Sequence, residues 1–465
     1  MARISRRGYL GGAGATLAGL LAAACGEPTV RYVGQPQAGP AGPAGPQGPQ
    51  GATGAQGAQG AQGAAGKAAV VPVTITWGTG GRQDLAELFQ SAIDLYHDQQ
   101  KAVSVELEIT QPGFTTKLDT QIAAGTPPNV IRSGEATVLA RVPGGAVASL
   151  ESYVAQTKYD LTAFYDSTVQ AYEWKGKLYG LPWIALTGMI WSNVAHFNSA
   201  GESLPKDTWT WDEMLETARR LTKGDEGSAD RIFGIGLTDW WEFHLLPMIR
   251  SWGGQLFDND VDPTMMTVDP AAVDALQWYA EMYSKHRVAP VAADRGELSS
   301  VRFFYAARDA MFMSAVQVQD MRTRANFEFD IHKLPTGKAG FASGSTTGGF
   351  AVMQGAPNIP QGFDFISFLA GEAGQRALMG FGAQIPAYRG VAESADWVGS
   401  TPPKNRAASI ETLKVAKPAP RGPFWTEAKA AIRKAYAPVI AGKETARQAL
   451  EATKPKVDAA IQKHL

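Results

Sequence analysis

Between Val71 and Ile131 the apolar pattern changes period with each segment, and this alternation limits the fold more than any other feature of the chain. Val71 to Trp77 reads as a strand, and from Asp84 to Gln99 the residues Leu85, Leu88, Phe89, Ala92 and Tyr96 share one helical face. Val103, Val105, Leu107 and Ile109 alternate as a second strand. Phe114, Leu118 and Ile122 mark a second helix that stops at Gly125, and Val130-Ile131 follows Pro127-Pro128 as a third strand. Strand, helix, strand, helix, strand implies a parallel sheet, because each return to the sheet passes through a helical crossover. Ligands of such sheets sit at the carboxyl ends of strands, here Trp77-Gly78-Thr79 and Ser133-Gly134-Glu135.

The stretch from Lys67 to Leu465 is too long for one ordinary core and suggests two lobes. The formal charge is -1 with no polybasic block, which argues against a nucleic-acid partner. No apolar run beyond the N-terminus is long enough to cross a membrane.

The N-terminus carries an address. Ser5-Arg6-Arg7, then Tyr9-Leu10, then a Gly/Ala/Leu stretch ending at Cys25, resembles a twin-arginine export signal with a lipoprotein cleavage box. The stretch from Gly8 to Ala24 is short and glycine-rich for a membrane span, so it reads as a removable signal, with an uncleaved anchor as the alternative. Ala22 stands where the cleavage box usually has Leu, with Leu21 one position early. Cys25 is the expected lipidation site and the only cysteine, so the fold depends on its core rather than on disulfides. From Gly39 to Gly66 a glycine recurs every third residue, with Pro at 40, 43, 46 and 49. Strict Gly-X-Y periodicity fits a collagen triple helix, which would make the protein a trimer. With proline in so few triplets the plainer reading is a spacer between lipid and domain.

Nine of the twelve tryptophans lie between Trp174 and Trp278. An indole offers a flat apolar face and one N–H donor, which suits a sugar ring as well as it suits a core. Trp174, Trp191, Trp252 and Trp278 read as core. Trp209 and Trp211 flank Thr210, whose pairing with Glu213 forms a capping box. Trp183, Trp240 and Trp241 occupy turn-like contexts where ligand contacts are expected.

A set of ordered segments then resembles one family. They are IAAGTPPNVI (Ile122 to Ile131), EWKGKLYGLPW (Glu173 to Trp183), IWSNVAHFNSAG (Ile190 to Gly201), PKDTWTWDEM (Pro205 to Met214), RSWGGQLFD (Arg250 to Asp258), ARDAMFM (Ala307 to Met313), TTGGFAVM (Thr346 to Met353) and FISFLAGEAGQ (Phe365 to Gln375). Together they resemble the extracellular sugar-binding lipoproteins of ABC importers. That resemblance implies an α/β fold, a two-lobed periplasmic-binding-protein-like clamshell of type II, each lobe a mostly parallel sheet flanked by helices. It implies a sugar ligand bound between the lobes, hinge closure, and delivery to ABC importer permease subunits. No cofactor or metal is expected, and the only membrane contact would be the lipid on Cys25, at the outer face of the cell membrane.

The organisation it implies is a signal over 1–25, a linker over 26–66, a first lobe over 67–182 completed by about 345–370, a second lobe over 183–344, and a C-terminal helical part over 371–465 packing on the lobes. The chain would cross near Leu181-Pro182 and return near Gly348-Gly349. Matching positions imply ligand contacts at Trp77, Gly78, Glu135, Trp183, Trp240, Trp241, Gly348 and Gly349. Glu135 would accept sugar hydroxyls, and the glycines would let backbone approach the ligand. Asn129, where the family usually has Asp, and the turn Gln354 to Gly362 depart from the pattern.

Two other classes stand beside this reading. A carbohydrate-active enzyme would need its chemistry, yet His97, His196, His244, His286, His332 and His464 lack metal-ligand spacing. GTGGRQ (Gly78 to Gln83) lacks the last glycine of a dinucleotide loop, although the abundant carboxylates leave a glycosidase pair open. An adhesion or scaffold protein would use the Gly-X-Y tract as its working part.

Overall fold

The computed structural model describes residues 30–32, 72–81, 84–238, 241–315, 318–379 and 384–465. Arg6, Arg7, Cys25, the Gly-X-Y tract and Trp240 lie outside the described residues.

The chain enters through a short strand, β1 (Val30–Tyr32), and then β2 (Val73–Gly80), α1 (Asp84–Gln99), β3 (Val103–Thr110), α2 (Phe114–Ala123), β4 (Val130–Gly134) and α3 (Glu135–Leu139). β2 pairs in parallel with β3 on one side and β4 on the other, while β1 adds antiparallel to β3. α1 buries Phe89, Ala92, Ile93 and Tyr96 against this sheet, the spacing that a 3.6-residue period requires. The strand expected over Val71 to Trp77 instead runs to Gly80. Gly78 belongs inside it, since a Cβ there would lie 2.8 Å from Pro128 Cγ. Asn129 closes the same contact, its Oδ1 accepting the Thr76 N–H at 2.9 Å.

A hairpin, β5 (Glu173–Trp174) and β6 (Lys177–Leu178), precedes the long strand β7 (Leu181–Asn193). There follow α4 (Trp211–Leu221), β8 (Phe233–Gly236), α5 (Pro270–Ser284), β9 (Asp309–Ala315), α6 (Val318–Arg324), β10 (Phe329–His332) and β11 (Ser343–Val352). The C-terminal part contributes α7 (Ile359–Ala370), α8 (Glu372–Leu378), α9 (Ala407–Lys414), α10 (Trp425–Ile440) and α11 (Ala446–Gln462).

β7 and β11 join the two lobes. The first half of β7 pairs antiparallel with β11, and its second half pairs with β9 and β10. β11 continues onto β4, from Gly348↔Gly134 to Val352↔Val130. The sheet therefore runs β1-β3-β2-β4-β11-β7-β9-β8, with a parallel part in each lobe (β3-β2-β4 and β8-β9) joined by the antiparallel crossing strands. One core lies under α1 and α7 and another under α4, α5, α10 and α11. A third fills the far side of β9 and β10, around Trp191, Phe304 and Trp397. The capping box at Thr210 forms as its sequence predicts, with Glu213 N–H donating to Thr210 Oγ1 and Thr210 N–H donating to Glu213 Oε2. It sets Trp209 and Trp211 into the core beside it.

Candidate functional site

Glu135 opens α3 directly after β4, at the carboxyl end of a parallel strand. Its Oε2 accepts the backbone N–H of Thr347 in β11 at 3.2 Å, and Thr347 Oγ1 in turn donates to the Ile184 carbonyl in β7 at 2.6 Å. The carboxylate is thus held where the two crossing strands meet the first lobe. Burial is the main cause that pushes its carboxyl up to about 7, and the nearby Glu242 adds to the rise, while the Thr347 N–H and Lys429 pull it back.

Glu242 and Lys429 come from second-lobe elements and lie near enough for their charges to act on Glu135. Glu242 lies in the π-helical turn Trp241–Leu245, and Lys429 lies on α10. They form an ion pair with each other, and Trp425 Nε1 donates to Glu242 Oε1 at 3.0 Å. A carboxylate that also holds an indole N–H and an ammonium is fixed in orientation. Neither Lys429 nor Trp425 is marked by any local motif, since α10 reads in sequence only as an amphipathic helix; partners separated by more than 180 residues leave no spacing to detect.

On the first-lobe side, Arg132 donates from Nε to Thr79 Oγ1 at 2.8 Å and from Nη2 to the Gly80 carbonyl. Its guanidinium lies 5.2 Å from the Phe89 ring centroid and 5.4 Å from that of Trp183. Tyr172 donates its hydroxyl to the Ser133 carbonyl at 2.7 Å, which fixes the β4 terminus from which Glu135 projects. The β5-β6 hairpin adds a tie between lobes. Arg421 donates from Nη1 to Glu173 Oε2 and from Nη2 to Asp262 Oδ2, each at 2.7 Å.

The aromatic expectations need correction. Trp77 is fully buried in mid-strand, packed against Phe89, Phe350 and Phe365, so its ring is core and presents no face to a ligand. Trp183 is likewise buried, stacked on Phe350. Trp241 sits in the second core against Tyr436. Trp191 is buried too, and Trp174, Trp252 and Trp278 pack on the cores as expected. Gly78 and Gly349 are buried and serve close packing. A Cβ on Gly349 would come within 2.2 Å of the Leu181 carbonyl oxygen, whereas Gly348 remains partly open on β11 opposite Gly134. Of the described residues expected to contact ligand, Glu135 and Gly348 are therefore the two that keep partial exposure.

Among the described residues no group of three His, Cys, Asp or Glu side chains is placed to hold a metal. A cavity of about 620 Å³ lies elsewhere, lined by Thr238, Tyr283, Arg295, Phe312 and the far end of α10 at Ile440 and Ala441. The Glu135 carboxylate at the crossing strands, and not that cavity, is the candidate site.

A family model described as bacterial extracellular solute-binding protein matches residues 79–376. Among solved structures, the ABC substrate-binding protein Lmo0181 from Listeria monocytogenes, in complex with cycloalternan, superposes with a TM-score of 0.74 at 21% identity, covering 84% of this chain and 100% of that one. The sugar-binding protein MalE from Xanthomonas citri gives 0.70 at 18% identity, covering 84% and 98%. Maltose-bound MalE3 from T. maritima gives 0.67 at 20% identity, covering 83% and 99%. At these identities the likeness is one of fold, a two-lobed α/β architecture.

Proposed function

The chain belongs to the bacterial extracellular solute-binding protein family, and from that premise we propose that it binds a mono- or oligosaccharide between its lobes and delivers it to the permease of an ABC importer. The family is one of extracytoplasmic binding proteins, not enzymes. The observation that carries the reading is the Glu135 carboxylate, tied to crossing strand β11 through the Thr347 N–H, with the second-lobe Glu242–Lys429 ion pair near enough for its charges to act on it. Sugars are recognised by such charged donors and acceptors, and complexes of the same fold with cycloalternan and maltose support the substrate class.

In this reading Glu135, Lys429 and the backbone at Gly348 contact the ligand, and Glu242 and Trp425 orient Lys429. A ligand touching both lobes favours the closed state by its differential affinity. The first lobe spans 67–182 with about 345–370, the second spans 183–344, and the C-terminal helices complete both. Arg6-Arg7 directs export, Cys25 carries the lipid, and the Gly-X-Y tract acts as a tether; a trimer built on that tract is the alternative, read from the native mass. Mass spectrometry of solute carried through purification tests the assignment. A carbohydrate is expected, and a solute of another class would overturn it.

A further inference from the structure

Two guanidinium groups, from α6 and from the start of α9, reach the loop over Ser400 and Pro402, and among the described residues neither forms an ion pair with a carboxylate. Arg406, which caps α9, is 2% exposed. Its guanidinium lies 3.8 Å from the Trp397 ring centroid, its Nη1 donates to the Ser400 carbonyl at 3.2 Å, and its buried Nε has no partner. Arg322, on α6, reaches the same loop, donating from Nη2 to Ser400 Oγ at 2.8 Å and from Nε to the Pro402 carbonyl at 2.7 Å.

Two other enclosed arginines meet carboxylates, Arg250 at Asp260 and Arg421 at both Glu173 and Asp262, whereas Arg132 is held singly by neutral partners. Neutral carbonyls satisfy hydrogen bonds but neutralise no charge, so two cations held at one loop, one of them buried, have no ion-pair partner among the described residues. The start of α9 has no acidic residue in its first turn and no side-chain cap, and the Asp330 carboxylate meets it at the Asn405 N–H, 2.8 Å away, not at either guanidinium. Burial, reinforced by the charge of Arg322, pushes the Arg406 guanidinium down to about 9, as expected of a cation without its anion.

We propose that Arg322, Arg406 and Ser400 form a binding site for a tetrahedral oxyanion, a phosphate or sulfate group, separate from the cluster around Glu135. A planar guanidinium matches two oxygens of such a group, and the serine hydroxyl can donate to a third. The group can be a free ion or the headgroup of an anionic lipid.

The test has two arms on the purified protein. Calorimetric titration with inorganic phosphate and with sulfate, against chloride at equal ionic strength, reads the free ion. Co-sedimentation with phosphatidylglycerol vesicles, against phosphatidylcholine vesicles, reads the headgroup. Saturable binding is expected in at least one arm, weakened about tenfold or more by Arg322→Gln. Arg322 is only half-buried, so this variant should fold, and circular dichroism checks that it does. Arg406→Lys keeps the charge and removes the fork, and it should weaken binding as well. Absence of saturable binding in both arms, or equal binding by wild type and Arg322→Gln, overturns the proposal.

Discussion

Glu135 Oε2 accepts the backbone N–H of Thr347 at 3.2 Å, so the first residue of α3 is tied to the strand that crosses between the lobes. The bond holds a carboxylate at the edge of the first lobe while Lys429 and Glu242 act on it from the second. Its consequences can be measured in several independent ways.

The first concerns pH. Burial raises the Glu135 carboxyl from its ordinary 4.5 to about 7. A folded-state value above the unfolded one means that folding takes up a proton, so this contribution to stability is full below the unfolded value and is lost as pH rises through the folded one. Each unit is worth about 1.4 kcal/mol before solvent screening reduces it. Urea unfolding at about pH 5 and about pH 8 should show Glu135→Gln losing less stability over that interval than the wild type. Equal slopes would contradict the raised carboxyl.

Trp77 should behave as a core residue. Trp77→Ala should cost about 3–5 kcal/mol in urea unfolding, the loss typical of a large buried ring. Sugar affinity of the folded fraction should change little. A variant that kept its stability and lost its ligand would return the ring to the binding surface.

At the return crossing, Gly349→Ala should destabilise by about 1–3 kcal/mol, because the new Cβ would meet the rigid Leu181 carbonyl. Gly348→Ala should cost less. Its Cβ would lie 3.0 Å from Ile184 Cγ1, on a side chain that can yield. Thermal or denaturant melts of the pair give the order, and the reverse order would refute this account of how the two glycines pack.

Arg421 joins Glu173 of the β5-β6 hairpin to Asp262 of the second lobe. Removing it in Arg421→Met should favour the open arrangement, so scattering from the unliganded protein should give a larger radius of gyration. Ligand should compact the wild type. An unchanged radius with ligand demonstrably bound would exclude hinge closure.

Much of the fold was legible because its signals are local. Asp84 to Gln99 kept a helical period, Val103 to Ile109 alternated, and Thr210 with Glu213 marked a helix start; all three elements form as their residues predict. Gly78-Thr79-Gly80 has the composition of a turn, yet Gly78 is selected by the closeness of Pro128 and the strand runs on through it. Trp77 therefore lies in mid-strand and not at the rim. Indole chemistry does not separate a sugar platform from a core ring, so the burial of Trp183 and Trp241 is legible only in the fold. Lys429, Glu242 and Trp425 were invisible for another reason, because their partnership exists only once distant segments pack together.

The most direct test is calorimetric titration of a panel of mono- and oligosaccharides into the wild type and into Glu135→Gln and Lys429→Met. The account predicts saturable binding of one sugar per chain. A lost charged hydrogen bond of about 1.5–3 kcal/mol should weaken each variant by roughly ten- to a hundredfold. No binding across the panel, or binding untouched by both substitutions, would contradict a sugar site between the lobes.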